Sequence, residues 1–325
     1  MAVRAADQNT DLIESVCATV RDRLPGDQAS PCERFVRQYY RWVPVDDLEG
    51  RSALDLYGAA VGHWNLAQRR GRGETKVRVY NPSVENDGWG SPHTVIEIVS
   101  DDMPFIVDSV TMELNRQGYG IDQVIHPVIV MRRDEDGELL DVLDQHPDDD
   151  DEPDVVAESI LHVEISRQAD RGRIDRLRGQ IEQVLEHVCE AVDDWQPMRR
   201  RALKLIDELD ADPPPVDEVE TREIKAFLRW LTNDHFTFLG YREYELVRGE
   251  DETGLRAIPD SGLGILRGSP ERPYTRLSAK AVALADEPHA LLLTKANSRA
   301  PVHRPAYMDY IALKKFDRDG QVIGE

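Results

Sequence analysis

Residues 94–133, TVIEIVSDDMPFIVDSVTMELNRQGYGIDQVIHPVIVMRR, read as strand, helix, strand, and the rest of the chain can be arranged around them. Val95, Ile96, Ile98 and Val99 form a β-branched apolar run that ends at Ser100-Asp101-Asp102, where cap-type residues and Pro104 predict that a helix begins. Met103, Val107, Val110 and Leu114 then recur at i, i+4, i+7 and i+11, a stripe suited to covering an apolar sheet. Gly118 and Gly120 end that helix, and the Val- and Ile-rich run from Ile121 to Met131 predicts a strand buried over much of its length.

Working outward toward the C-terminus, Asp136-Gly137 is a hairpin turn signal pairing Val128–Arg132 with Glu138–Leu143. Ser159 to Ser166 alternates as a strand with one buried face, and Ile174 to Val192 keeps helical spacing for about five turns. The order strand, helix, hairpin, strand, helix is close to a split β-α-β, ferredoxin-like arrangement. A helix from Met198 to Leu209 runs into the stiff linker Asp212-Pro213-Pro214-Pro215, and Thr221 is the expected cap of a helix over Glu223–Thr232. Phe236–Leu246, Gly254–Ile258, Ala290–Lys295 and Tyr307–Phe316 read as strands of a mostly β domain. Asp317-Arg318-Asp319-Gly320 turns into Gln321, Val322 and Ile323, so the chain is expected to stop inside a hairpin and the natural protein to continue.

Toward the N-terminus, residues 1–73 read as helices. The Tyr39-Tyr40-Arg41-Trp42 patch and Trp64 are expected to dock on a neighbouring domain or subunit. Lys76 to Tyr80 predicts a strand. The expected class is therefore α+β, with a helical segment at 1–74, a ferredoxin-type module at 75–197, connecting helices and a linker at 198–235, and a β-rich domain at 236–325.

With 325 residues the chain needs neither disulfide nor metal to hold its cores, and Cys17, Cys32 and Cys189 show no pairing pattern, which points to a reducing cytoplasm. A net charge of −22 argues against nucleic acid, and no apolar run reaches the roughly 20 residues of a membrane helix. More than half of that charge lies between Asp134 and Asp154, which has no Lys or Arg and lacks the spacing of a calcium loop, so it reads as a solvated loop.

Ser100 to Phe105 is the best ligand site in the sequence, because the first N–H groups of a helix lack partners and favour a carboxylate. Asp101 and Asp102 compete with that reading, since either could cap those donors. His162 and Glu164 share a strand face and His126 sits in another strand, but one His and one Glu are too few for a metal centre. Asp234-His235, His289 and His303 come with no nucleophile elbow, and Gly254, Gly262, Gly264 and Gly268 form neither a dinucleotide fingerprint nor a Walker loop. No catalytic, cofactor-binding or metal-binding residue is assigned.

Three separated segments, DDMPFIVDSV at 101–110, FLRWLTNDHFTFLGYREYEL at 227–246 and VHRPAYMDYIALKKFD at 302–317, resemble the amino-terminal region of the large bacterial NAD-specific glutamate dehydrogenases. That resemblance implies ACT-type and PAS-like regulatory modules, with NAD bound only by a catalytic domain farther along the parent protein. It also implies self-association, contact with that catalytic domain and an amino-acid effector. ACT modules that bind amino acids use the turn after their first strand, facing the helix-to-strand turn of a neighbouring module. Carried over, those positions are Ser100, Asp101, Asp102, Met103, Pro104 and Phe105, with Gly118, Tyr119, Gly120 and Ile121 opposite. One departure matters: such modules often have glycine after the turn proline, where Phe105 stands here. A structural scaffold without a ligand is the competing expectation.

Overall fold

The structure is a computed structural model that describes residues 2–48, 50–146, 152–250, 252–268, 270 and 272–325. It divides into two compact units, Met1–Leu185 and Glu186–Glu325.

The first unit runs α1 (Ala2–Arg23), α2 (Gly26–Tyr40), α3 (Val45–Leu48), α4 (Ala53–Ala67), β1 (Lys76–Tyr80), α5 (Val84–Asp87), β2 (Thr94–Asp101) and α6 (Ile106–Arg116). It continues through β3 (Ile121–Ile125), β4 (Val128–Arg133), β5 (Leu139–Leu143), β6 (Val155–Ile165) and α7 (Arg171–Asp193), within which the division falls. The antiparallel sheet has the order β1-β2-β6-β4-β5, with β3 also paired to β6. Strand β6 is central: β2 lies along one side from Thr94↔Ile165 to Asp101↔Glu158, and β3 and β4 share the other. It therefore lies between the two strands that α6 connects. The outer place beside β2 is filled by β1, and beyond α7 the chain continues as a helix.

Two local readings change. Ser100 and Asp101 extend β2 instead of starting α6, because β6 begins at Val155 and supplies Ser159 and Glu158 as their partners. The predicted strand Ile121–Met131 breaks at His126-Pro127, where proline has no N–H for the ladder. The Pro127 carbonyl still accepts a bond from the Ile160 N–H, so β3 and β4 both stay on β6.

Helices α1, α2 and α4 cover one sheet face, where Val16, Phe35, Val36, Tyr39 and Trp64 pack with Val99, Ile125, Ile129, Met131 and Ile160. Tyr39, Tyr40 and Trp64 thus dock on the sheet of their own unit, while Trp42 is 80% exposed. Ile96, Ile98, Leu161 and Val163 alternate with that set and point to the opposite face, where they are equally buried. Ile106, Val110 and Leu114 of α6 and Leu177 and Ile181 of α7 are buried too.

The second unit opens with α8 (Trp195–Ala211) and α9 (Glu218–Trp230). Asp217, not Thr221, caps α9, accepting from the Glu220 N–H, so that helix starts earlier than expected. A π-helical turn, Leu231–His235, bends the chain through Asp234 at φ 57°. There follow β7 (Gly240–Tyr241), β8 (Tyr244–Arg248), β9 (Thr253–Ala257), β10 (Leu263–Gly264), β11 (Tyr274–Arg276), α10 (Ala279–Ala285), β12 (Leu291–Arg299), β13 (Tyr307–Leu313), β14 (Lys315–Phe316) and β15 (Val322–Gly324). The main sheet has the order β11-β9-β8-β15-β14, and β12 pairs with β13. Ile206, Leu209, Ile224 and Leu228 of the helices form a core with Phe236, Phe238, Leu291 and Phe316.

Candidate functional site

The turn between β2 and α6 carries most of the predicted ligand positions, and the structure separates their roles. Ser100 is buried, and its Oγ has no hydrogen-bond partner. Asp101 is committed to structure: its carboxylate pairs with Arg70 at 2.5 Å and accepts from the Gly73 N–H at 3.1 Å. Asp102 is exposed as a residue, yet desolvation still raises its carboxyl pKa, with nearby His126 pulling the other way. Neither aspartate caps α6. Its N-cap is Phe105, which makes no side-chain cap bond, so no side chain closes off this helix end in the usual way. Met103 is half-buried and Pro104 exposed.

His126 and Ser159 join this group without having been singled out for it. The His126 Nε2 lies 2.6 Å from the Ser159 Oγ, and Ser159 is the register partner of both Ser100 and Val128. Sequence spacing could not reveal the pairing, since it depends on the β6 register. Ser159 is fully buried, so a nucleophilic role does not suit it. What the end of β2 offers is two hydroxyls, a carboxyl and an imidazole beside a helix N-terminus.

The opposite turn closes α6 by a Schellman arrangement: the Tyr119 N–H bonds to Leu114 O and the Gly118 N–H to Asn115 O, both at 3.0 Å. Gly118 sits at φ 80°, where a Cβ would be strained. Gly120 lies so close to β6 that a Cβ would come within 2.8 Å of the Ser166 Oγ. Ile121 starts β3. Because α6 has 11 residues, the two turns lie about 16 Å apart in one chain.

Phe105 adopts φ 75°, ψ 0°, the left-handed conformation that glycine takes without strain. Phe105→Gly is therefore expected to be more stable than Phe105→Ala by about 1 kcal/mol, the reverse of the usual order in a helix. Urea midpoints of the two variants check this; equal midpoints would mean that the backbone is not strained there.

Beneath α2 and α4 the sheet carries a buried polar layer that the sequence pattern did not reveal. Glu158 is held between two buried arginines, Arg70 at 2.9 Å and Arg133 at 2.5 and 2.8 Å. Glu164 receives both arms of Arg51 at 2.6 and 3.0 Å; burial works to raise its pKa, but His162 and Arg51 hold it down at about 2. His63, from α4, lies over Glu97 and His162, which are register partners. Burial, with His162 nearby, pushes the His63 pKa down to about 3, while burial raises that of Glu97.

In the second unit a cleft of about 1350 Å³ is lined by Leu209, Leu231, Phe238, Tyr241, Ile265 and Tyr307 among others. Glu243 ties α8 to the strands, accepting from Arg201 at 3.0 Å, from Tyr241 at 3.0 Å and from Lys315. His289 pairs with Glu220 at 3.2 Å, beside the Glu220 bond from the Ala290 N–H. The His235 ring stacks on Trp230. Part of the acidic stretch is ion-paired: Glu138 with Arg69, Asp141 with Arg34, and Glu152 and Asp154 with Arg132. Residues 147–151, the densest part of it, lie outside the described residues. No helix among the described residues is long and apolar enough to cross a membrane.

Residues 35–181 match the family model described as glutamate dehydrogenase, ACT1 domain. The chain is 36% identical over 328 residues to the NAD-specific glutamate dehydrogenase of Halomonas elongata, an alignment that covers 99% of this chain and 20% of that protein. It is 38% identical over 331 residues to the Pseudomonas aeruginosa protein of the same name, covering 100% of this chain and 20% of the relative. Identity to the Mycobacterium tuberculosis protein is 25% over 303 residues, covering 93% of this chain and 17% of the relative. The chain thus spans about a fifth of the length of the curated relatives it matches. The chain is therefore similar over nearly its whole length to part of the NAD-specific glutamate dehydrogenases, and within it residues 35–181 match the glutamate dehydrogenase ACT1 domain.

Proposed function

We propose that this chain is a non-catalytic regulatory region of an NAD-dependent glutamate dehydrogenase, an enzyme that oxidatively deaminates L-glutamate to 2-oxoglutarate in the cytoplasm. Its ACT-type module senses a small amino acid at the β2–α6 turn. The observation that carries this reading is the buried, unpartnered Ser100 hydroxyl beside a helix N-terminus with no side-chain cap. A ligand carboxylate suits the helix end, and a ligand ammonium suits the exposed Asp102. The Gly118–Ile121 turn lies too far away to complete this pocket within one chain, so the complete site is formed between two copies. The second unit, with its leading helices, five-stranded sheet and apolar cleft, is read as the PAS-like module.

Thermal melting of the 325-residue chain across the amino acids tests the proposal. A ligand at about 100 times its Kd is expected to add about 2.7 kcal/mol to the unit that binds it, a shift lost on replacing Pro104 or enlarging Gly120. A flat panel would instead favour an assembly scaffold, the reading that Phe105 supports: its Cβ and ring stand where a ligand carboxylate would approach the backbone. Self-association without any ligand response is the signature of that second reading.

A further inference from the structure

The His63, Glu97 and His162 cluster lies inside the sheet–helix layer of the first unit, away from the β2–α6 turn. All three side chains are fully or almost fully buried, and one ligand-capable atom from each lies within 4.8 Å of the others.

Their hydrogen bonds leave a consistent set of lone pairs. The His63 Nε2 is 3.1 Å from the Ile98 carbonyl, which can only accept, so this nitrogen carries the proton and Nδ1 presents its lone pair. The Tyr39 hydroxyl donates a long hydrogen bond, 3.4 Å, to that Nδ1, which a bound ion would replace. The His162 Nε2 faces the Glu164 carboxylate at 3.4 Å, itself fixed by Arg51, and the His162 Nδ1 has no partner. An imidazole whose other nitrogen is held by a carbonyl or carboxylate is the outer arrangement that orients metal-binding histidines. Glu97 accepts from the Tyr80 hydroxyl on Oε1 at 2.9 Å, while its Oε2 has no hydrogen-bond partner.

Arg78 is the competing cation. Its Nε lies 3.2 Å from the Glu97 Oε2 but is not aligned for a hydrogen bond, and both atoms remain unsatisfied. Asp87 stands 3.5 Å from the Arg78 Nη2, so the arginine has a second carboxylate to turn to.

We propose that His63, Glu97 and His162 bind one divalent transition-metal ion of the zinc class. Two imidazole nitrogens and one carboxylate oxygen suit that class better than magnesium or calcium, which prefer oxygen ligands throughout. Tyr39 or a water supplies a fourth ligand. The ion fastens α4 to β2 and β6.

The test uses the untagged 325-residue chain, stripped with a chelator and titrated with Zn2+ or Co2+. The expected result is one tightly bound ion per chain, the visible absorption of four-coordinate Co2+, and a melting point raised by about 5–10 °C at saturation. Long-range proton–nitrogen spectra should show the Nδ1 signals of His63 and His162 moving together. His63→Gln and His162→Gln should each lose the ion, while His235→Gln should keep it. If the two variants fail to fold, the nitrogen spectra of the unaltered chain decide. A bound ion that leaves both Nδ1 signals in place belongs to another site and overturns the proposal, as does the absence of stoichiometric binding.

Discussion

Glu158→Ala is expected to destabilise the first unit by about 3–5 kcal/mol, enough to remove a large share of the 5–15 kcal/mol typical of a domain. The reason is the company Glu158 keeps. Arg70 is fully buried and Arg133 nearly so, and both guanidiniums converge on this carboxylate. Without it Arg70 retains Asp101, but the partners left to Arg133 among the described residues are neutral, the carbonyls of Ala67 and Gly137 among them. An uncompensated buried cation is far more costly than a missing contact. Exchanging Glu158 and Arg133 together for apolar residues of similar volume should cost much less than Glu158→Ala alone. Urea unfolding of the three proteins measures the difference, and a loss below about 1 kcal/mol in Glu158→Ala would show that water reaches the pair.

The second unit should owe part of its stability to Glu243 in a way that depends on pH. Desolvation works to raise this carboxyl, but bonds from Lys315, Tyr241 and Arg201 outweigh it and hold the pKa at about 2. The folded state therefore binds this proton less readily than the unfolded chain. The stabilisation is full above the ordinary value of 4.5 and disappears as the pH falls from there toward 2. The shift corresponds to roughly 3 kcal/mol, which partial exposure reduces to about 2. Glu243→Gln should be less stable than the natural chain at pH 6, with the gap closing as the pH falls toward 2. A gap that stays constant across that range would mean that Glu243 contributes through packing and not through its charge.

The sequence announces the β2-α6-β3 stretch because hydrophobic periodicity changes there from a strand's to a helix's and back, and two glycines mark the second change. It misplaces the start of α6, because Ser100-Asp101-Asp102 has the composition of a helix cap while the decision lay in β6. Residues 155–158 add a further stretch of strand that no local signal near Ser100 could reveal. The ligand turn could be read as a position but not as chemistry: which aspartate is engaged by Arg70, and that His126 reaches Ser159, depend on register. The buried layer was harder still. Glu97 and His162 sit in apolar runs where a lone polar residue reads as an ordinary interruption, and His63 reaches them only because α4 lies across that face.

Strand β6 also sets a timetable. It is the last strand of its sheet to leave the ribosome, yet it is the one on which β2, β3 and β4 all pair. Until it emerges, the nascent chain holds two separate hairpins, β1–β2 and β4–β5, each with an open edge. Closure must then bridge long stretches of chain, which makes it slow relative to local helix formation. The acidic segment just upstream of β6 puts a run of like charge on the chain during that interval, which discourages the waiting edges of two nascent chains from pairing with each other.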